Sequence, residues 1–204
     1  MLDLARLFRV PSVDPDTGFD LSPDGTKIAF SWNPSGQWEI YEKSLVSTTQ
    51  PVRLTVGSGG KFAPHYSPDG RHLGYMVDLE GGENYHLFLY DFATGIHRDL
   101  TPDIDCTLQP SFDWSPDGRW AAILSNQTGC FSAYILDIED STLRLVLENG
   151  FPAMEARWSP AGDWLAIRAE TGGQDYGIFL IPLQGGAAIQ VSDRGVSLNA
   201  HDPC

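Results

Sequence analysis

The chain has 204 residues, 42% apolar and 20% charged, a composition that excludes a disordered, collagenous or coiled-coil protein and is sufficient for a buried core. Thirteen Lys and Arg stand against 27 Asp and Glu, a formal charge of −14; that field repels a phosphate backbone and an anionic membrane surface, so neither nucleic acid nor membrane is expected as a partner. The 21 glycines and 14 prolines suit short strands and tight turns better than helices, and an all-β chain is expected.

The first ten residues, Met1-Leu-Asp-Leu-Ala-Arg-Leu-Phe-Arg-Val10, carry Asp3, Arg6 and Arg9, which interrupt the apolar core that a secretory signal requires. No stretch reaches the ~18 consecutive apolar residues that span a bilayer. With Met1 as the start, a cytoplasmic protein is expected. Residues 1–16 form a lead-in or an edge strand ahead of the repeats that occupy residues 17–204. Asp14-Pro-Asp-Thr-Gly-Phe-Asp20 superficially resembles a calcium loop, but such a loop needs glycine at its sixth position and glutamate at its twelfth. Glycine is fifth here, and Asp, Pro and Gly together make a turn.

Four copies of one tetrapeptide then organise the chain: Ser22-Pro-Asp-Gly25, Ser67-Pro-Asp-Gly70, Ser115-Pro-Asp-Gly118 and the variant Ser159-Pro-Ala-Gly162, spaced by 45, 48 and 44 residues. Proline presets φ, aspartate bonds the backbone ahead, and glycine accepts positive φ where the chain re-enters a strand, so each copy is a hairpin turn. A large residue precedes each serine (Leu21, Tyr66, Trp114, Trp158), and Ile28-Ala-Phe30, Leu73-Gly-Tyr75, Ala121-Ala-Ile123 or Leu165-Ala-Ile167 follows. Consecutive apolar positions predict a second strand covered on both faces. The small middle residue lets an adjacent sheet approach closely, on a face that sequence does not specify. A third strand is marked by Tyr41, Phe88, Tyr134 and Phe179, each reached through a glycine-led turn as a second hairpin requires. A fourth is expected around Val52 to Leu54, Ile96 to Leu100, Leu143 to Leu145 and Ile189 to Val191. Four strands at a ~40–50 residue period describe propeller blades. The expected fold is therefore an all-β, partial β-propeller of about four blades, with Leu198-Asn-Ala-His-Asp-Pro203 as the start of a fifth, hence a fragment.

Ser-Pro-Asp-Gly followed by apolar-Ala-apolar at this period resembles the repeat of TolB-type propellers and of the N-terminal propellers of prolyl-oligopeptidase-type serine peptidases. Gly82-Glu-Asn-Tyr-His-Leu-Phe-Leu-Tyr-Asp91, Gly173-Gln-Asp-Tyr-Gly-Ile-Phe-Leu-Ile-Pro182 and Leu198 to Pro203 look most like acylaminoacyl- or dipeptidyl-peptidase-like members. The resemblance implies a downstream α/β-hydrolase domain carrying Ser, Asp and His in that order, a propeller that covers its active site, and short peptides as substrates. A TolB-like interaction scaffold is the alternative.

No catalytic, cofactor-binding or metal-ligating residue is assigned within the chain. A serine hydrolase needs its nucleophile on a Gly-x-Ser-x-Gly turn; Val56-Gly-Ser-Gly-Gly60 and Gly195-Val-Ser-Leu-Asn199 miss that spacing and read as loops. His65, His72, His86, His97 and His201 fall at different repeat positions, without the i,i+4 pair of a zinc helix. Cys106, Cys130 and Cys204 are an odd number without C-x-x-C and read as free thiols. Glu80-Gly-Gly-Glu-Asn84 is a hairpin tip, although an acidic rim attracts a peptide ammonium. Trp114, Trp120, Trp158 and Trp164 recur in register around the turn, which points to packing between blades, whereas Trp32 and Trp38 stand outside that register.

Overall fold

The Ser-Pro-Asp-Gly turn builds itself from short-range hydrogen bonds. In the computed structural model the Ser22 carbonyl accepts from the Gly25 N–H at 2.8 Å, the Ser22 hydroxyl donates to Asp24 Oδ1 at 2.6 Å, and Asp24 Oδ1 accepts the Thr26 N–H at 2.9 Å. The Lys27 N–H returns to the Ser22 hydroxyl oxygen at 2.9 Å. Ser67 with Asp69 and Ser115 with Asp117 repeat the pattern. Gly25, Gly70, Gly118 and Gly162 all have φ near +70°, a conformation that only glycine adopts without strain. In the fourth copy Ala161 has no carboxylate, and Asp163, two residues further on, accepts the Ser159 hydroxyl at 2.8 Å instead.

The structure describes residues 12–14, 18–79, 81–102, 107–148, 150–172 and 175–192. The expectations for residues 1–11, Glu80, Cys106, Gly195 to Asn199, His201, Cys204 and the start of a fifth blade lie outside these residues. The described residues form sixteen strands and no helix. Blade 1 comprises β1 (Phe19–Leu21), β2 (Lys27–Trp32), β3 (Glu39–Ser44) and β4 (Val52–Arg53). Blade 2 comprises β5 (Gly60–Tyr66), β6 (His72–Asp78), β7 (Tyr85–Asp91) and β8 (His97–Asp99). Blade 3 comprises β9 (Leu108–Trp114), β10 (Trp120–Ser125), β11 (Ser132–Asp137) and β12 (Leu143–Leu147). Blade 4 comprises β13 (Ala153–Trp158), β14 (Trp164–Gly172), β15 (Asp175–Pro182) and β16 (Ile189–Gln190). Within each blade, consecutive strands pair antiparallel. Ahead of β1, Val13 bridges to Trp32, so residues 12–14 run along the same edge of β2.

Two compact units divide the chain, Met1–Pro102 with blades 1 and 2 and Asp103–Cys204 with blades 3 and 4. In the first, Ala29 and Ile40 of blade 1 are buried against Tyr66, Leu73, Tyr75 and Val77 of blade 2. In the second, Ala122, Leu124, Ala133 and Ile135 of blade 3 are buried against Ala156, Leu165, Ile167 and Ile181 of blade 4. Both cores use the small residue in the middle of the second strand, Ala29 or Ala122, to admit the following blade. We call the face that receives the next blade the trailing face, and the face that packs onto the previous blade the leading face.

Burial of the second strand on both faces holds for β6 and β10, which are buried at nearly every position. It fails for β2 and β14, where burial alternates. Ile28, Phe30 and Trp32 lie on the leading face of blade 1, and Ala166 and Arg168 on the trailing face of blade 4; all are only partly buried. Consecutive apolar residues report the capacity of a strand to be covered twice, and the described residues bury β2 and β14 fully on one face only.

Candidate functional site

Where consecutive turns meet within a unit, the side chains enclose a recess. In the first unit it measures about 350 Å³ and is lined by Asp24, Lys27, Glu42, Tyr66, Asp69 and Phe92, among others. The Tyr66 and Phe92 rings stack at 5.8 Å and 10°, the Lys27 ammonium lies 5.6 Å over Phe92, and Glu42 takes Lys27 Nζ at 3.0 Å and the Tyr66 hydroxyl at 2.9 Å. Burial and the adjacent Glu42 carboxylate push the Tyr66 phenol far above its ordinary range, which makes it a hydrogen-bond donor and not a base. Hydrogen bonds from the Ser22 hydroxyl and from Thr26 lower Asp24 to about 2, so it is a fixed anion at neutral pH. The equivalent recess in the second unit, about 300 Å³, is lined by Trp120, Arg144, Trp158, Asp163 and Leu183, among others. Here Trp120 and Trp158 stack at 6.2 Å and 9°, which places these two in-register tryptophans in blade-to-blade contact. These recesses offer charge and aromatic faces, a chemistry of binding.

The four described histidines do not converge. His65 Nδ1 lies 3.8 Å from Asp20, His72 Nε2 3.7 Å from Asp91, and His86 Nδ1 3.2 Å from Asp99. His97 Nδ1 shares a 2.8 Å hydrogen bond with the Tyr75 hydroxyl, and burial lowers its imidazole below the usual range. The segment Val56 to Gly60 plays a structural part, since the carbonyls of Gly57, Ser58 and Gly59 accept from the Lys61 ammonium at 2.8, 3.0 and 3.0 Å. Asp20, at the end of the acidic run, accepts the Tyr66 N–H at 2.9 Å. Burial works against its ionisation, but the His65 and Tyr66 hydrogen bonds outweigh it and lower its pKa. The tip around Glu83 is folded around Asp78, whose Oδ1 accepts the Gly81 and Gly82 N–H groups at 2.9 and 3.2 Å. Among the described residues no three metal-ligating side chains converge, and Cys130 is a free, partly buried thiol.

Two devices escape the motifs. Asp113 accepts the Trp158 N–H at 2.7 Å, as Asp20 does for Tyr66, so an aspartate two residues before the repeat serine ties its blade to the next. The signal was present, because Asp20 and Asp113 occupy the same repeat position, and His65 and Arg157 fill it in the blades they bind. The second is the Lys61–Glu39 pair at 3.3 Å, with the Thr55 hydroxyl also donating to Glu39. It joins blades 1 and 2, and because it falls at no repeated position, no periodicity announces it.

No family model matches the chain. It is 27% identical over 157 residues to the Uncharacterized protein Atu1656 of Agrobacterium fabrum, a match covering 72% of this chain and 52% of that protein. It is 26% identical over 114 residues to the Uncharacterized peptidase YuxL of Bacillus subtilis, covering 53% of this chain and 17% of the peptidase. A 61-residue match to the Tol-Pal system protein TolB of Alcanivorax borkumensis is 41% identical and covers 29% of this chain and 14% of TolB. The chain thus spans about half or less of these relatives. Among solved structures, a putative TolB from Agrobacterium tumefaciens superposes with a TM-score of 0.71 at 21% identity, over 87% of this chain and 64% of that one. A puromycin-hydrolyzing peptidase of Mycobacterium tuberculosis gives 0.66 at 16% identity, over 82% and 31%. A prolyl endopeptidase gives 0.67 at 12%, over 93% and 30%. Four Ser-Pro-Asp/Ala-Gly blades and these superpositions establish an all-β propeller fold, shared with TolB-like proteins and with the propellers of prolyl-endopeptidase-type peptidases.

Proposed function

We propose that the chain is the non-catalytic propeller portion of a cytoplasmic serine peptidase, gating and filtering peptide substrates for an α/β-hydrolase domain outside residues 1–204. The observation that carries this reading is the recurrence of these blades in peptidases of which they make up only a minor part: about a third of the two superposed peptidase chains, with sequence likeness to a third peptidase besides. The site chemistry agrees with it. The one Gly-Ser-Gly segment among the described residues cradles Lys61, and the recesses present fixed charges and aromatic rings suited to holding a peptide. A second reading, a TolB-like interaction scaffold, is favoured by the TM-score of 0.71 and the 41% identity over 61 residues.

Fluorophosphonate labelling distinguishes the two. Residues 1–204 alone are expected to take no label and to cleave no aminoacyl or N-acyl peptide, because hydrolysis needs an activated nucleophile and an oxyanion hole. The product of the reading frame extended beyond residue 204 is expected to be labelled on a Gly-x-Ser-x-Gly serine, and excision of these blades to relax its limit on peptide size. Labelling of a serine within residues 1–204, lost when that serine is replaced, would overturn the non-catalytic assignment. An extended frame that encodes further blades and no labelled serine would establish the scaffold instead.

A further inference from the structure

Consecutive turns nest in the same way in both units. A Cβ on Gly70 would stand 3.6 Å from Pro23 Cδ, and one on Gly162 3.4 Å from Pro116 Cδ, so each proline ring lies against the glycine of the next turn. The recess beside each nest is built from equivalent positions. Lys27 and Trp120 both send their N–H to the hydroxyl of the repeat serine, and Glu42 pairs with Ala29 as Ile135 does with Ala122. Tyr66 and Trp158 both donate their N–H to an aspartate of the preceding blade. Phe92 and Leu183 both donate to the carbonyl of the fourth residue after the repeat serine.

The second unit therefore serves as a control for the first. Its junction is filled by Trp120, Ile135, Trp158 and Leu183, all packed in one apolar core, with Ala161 where the first unit has Asp69. Packing of one blade on the next does not require charge at these positions. The first recess nevertheless carries Lys27, Glu42 and Asp69 at three of them, and Asp24 besides. Charge held in a junction that apolar residues fill as well adds little stability, so it marks a second use. Three carboxylates stand against one ammonium, whereas the second recess has Arg144 and Asp163, one of each sign. Asp24 and Asp69 are fixed through Oδ1, which accepts the serine hydroxyl and a backbone N–H in each turn. Oδ2 is the oxygen each has to offer, with the exposed Arg71 side chain 3.6 Å from that of Asp69. Among the described residues no three metal-ligating side chains converge, and the recess also has an aromatic wall, the Tyr66 and Phe92 rings stacked at 5.8 Å. Carboxylates beside aromatic faces suit an organic cation.

We propose that the recess between the first two turns binds the guanidinium of an arginine side chain presented by a peptide, held by the Asp24 and Asp69 carboxylates and against the Tyr66 and Phe92 rings. A guanidinium is planar, weakly hydrated and forked, so it bonds carboxylates and stacks on aromatic faces, whereas an ammonium is compact and strongly hydrated. The recess already accommodates a cation on its aromatic wall, since Lys27 Nζ lies 5.6 Å over Phe92. Its volume of about 350 Å³ falls within the range of ligand pockets. The inference rests on the reading of these recesses as peptide-holding, and it names the side chain that one of them selects.

The test is an NMR titration of the 204-residue chain at low salt with a capped peptide of alanines carrying arginine at its centre. Wild type is expected to bind it saturably, and to bind the peptide with citrulline, the neutral isostere, at least about tenfold more weakly. Asp24→Asn and Asp69→Asn keep an amide oxygen for the turn and remove the charge. Each is expected to weaken binding about threefold, and the two together about tenfold. Asp117→Asn makes the same change of charge in a turn of the second unit and is expected to leave the affinity unchanged. Should the turn variants melt early, Phe92→Leu, which installs the residue of the equivalent position in the second unit, is expected to weaken binding about threefold. An arginine peptide that does not bind, a citrulline peptide that binds equally, recess variants that bind as wild type does, or equal weakening by Asp117→Asn would each overturn the proposal. Equal affinity for the lysine peptide would overturn the choice of guanidinium, and equal affinity for an uncapped all-alanine peptide would overturn it in favour of a peptide amino terminus. None of these readouts involves a hydrolase domain, so their failure and a failure of the fluorophosphonate labelling are separate results.

Discussion

Lys61→Met tests the contact between blades 1 and 2 at its most consequential point. The Lys61 and Glu39 side chains are 5% and 3% exposed, and the ammonium is enclosed by Glu39 Oε1 and the carbonyls of Gly57, Ser58 and Gly59. Methionine removes the charge while keeping most of the apolar stem. The three carbonyls belong to a loop in which Gly57 and Ser58 are exposed, and water replaces the lost donor there. Glu39 has no such recourse and is left with the Thr55 hydroxyl as a donor. Stranding one member of a buried pair costs roughly 3–5 kcal/mol, whereas replacing both by apolar residues of similar volume is often neutral or stabilising.

Against a typical domain stability of about 5–15 kcal/mol, the single substitution is a large perturbation, and the double variant Glu39→Leu/Lys61→Met is expected to recover most of the loss. Thr55 keeps a structural role in that double variant, because its oxygen still accepts the Ile40 N–H at 2.8 Å. Urea titration followed by tryptophan fluorescence reads both effects. With a urea dependence of about 1–3 kcal/mol per molar, the single variant shifts the midpoint by more than about 1 M. A single variant within about 1 kcal/mol of wild type, or a double variant as unstable as the single, would refute the account of Lys61 and Glu39 as a mutually dependent pair.

The repeat turns make two further predictions. Gly118 has φ of +71°, so Gly118→Val is expected to cost about 1–3 kcal/mol through backbone strain, and Arg71→Ala, at a side chain 81% exposed, less than about 0.5 kcal/mol; equal melting temperatures for the two would show that the turn conformation carries no stability. Asp24 is lowered from 3.8 to about 2 by the Ser22 hydroxyl and Thr26, Asp117 is lowered by the Ser115 hydroxyl, and on Asp69 burial acts upward but is outweighed by Ser67 and the Arg71 N–H. Carboxyls depressed on folding stabilise fully above their unfolded value and lose that contribution as pH falls through the folded value. Melting temperature should therefore drop between about pH 4 and pH 2, with a shallower drop in Asp24→Asn/Asp69→Asn/Asp117→Asn. Parallel acid profiles would contradict the linkage.

What the sequence disclosed and what it withheld follow from the range of the forces involved. The turns, and the strands on either side, rest on contacts within about five residues, such as Ser22 with Asp24 and Lys27, and a chain that repeats them displays them at a fixed period. Tyr41, Phe88, Tyr134 and Phe179 all fall inside the third strands because hairpin closure is equally local. The contacts between blades span some 45 residues, as in Asp20 with Tyr66 and Asp113 with Trp158. They were legible only as an aspartate recurring in alternate repeats, a signal that gains meaning once the geometry of its donor is known. Lys61 and Glu39 occupy no repeated position, so only the folded backbone brings them together. Both-sided cover failed for a different reason. Ile28-Ala-Phe30 and Leu165-Ala-Ile167 specify a strand fit to be covered twice, but cover is a property of neighbours, and the described residues bury β2 and β14 fully on one face only. The same physics explains why the candidate site was hardest to read. A recess such as that around Tyr66 and Phe92 draws one wall from each of two blades, and its chemistry exists only after both have packed.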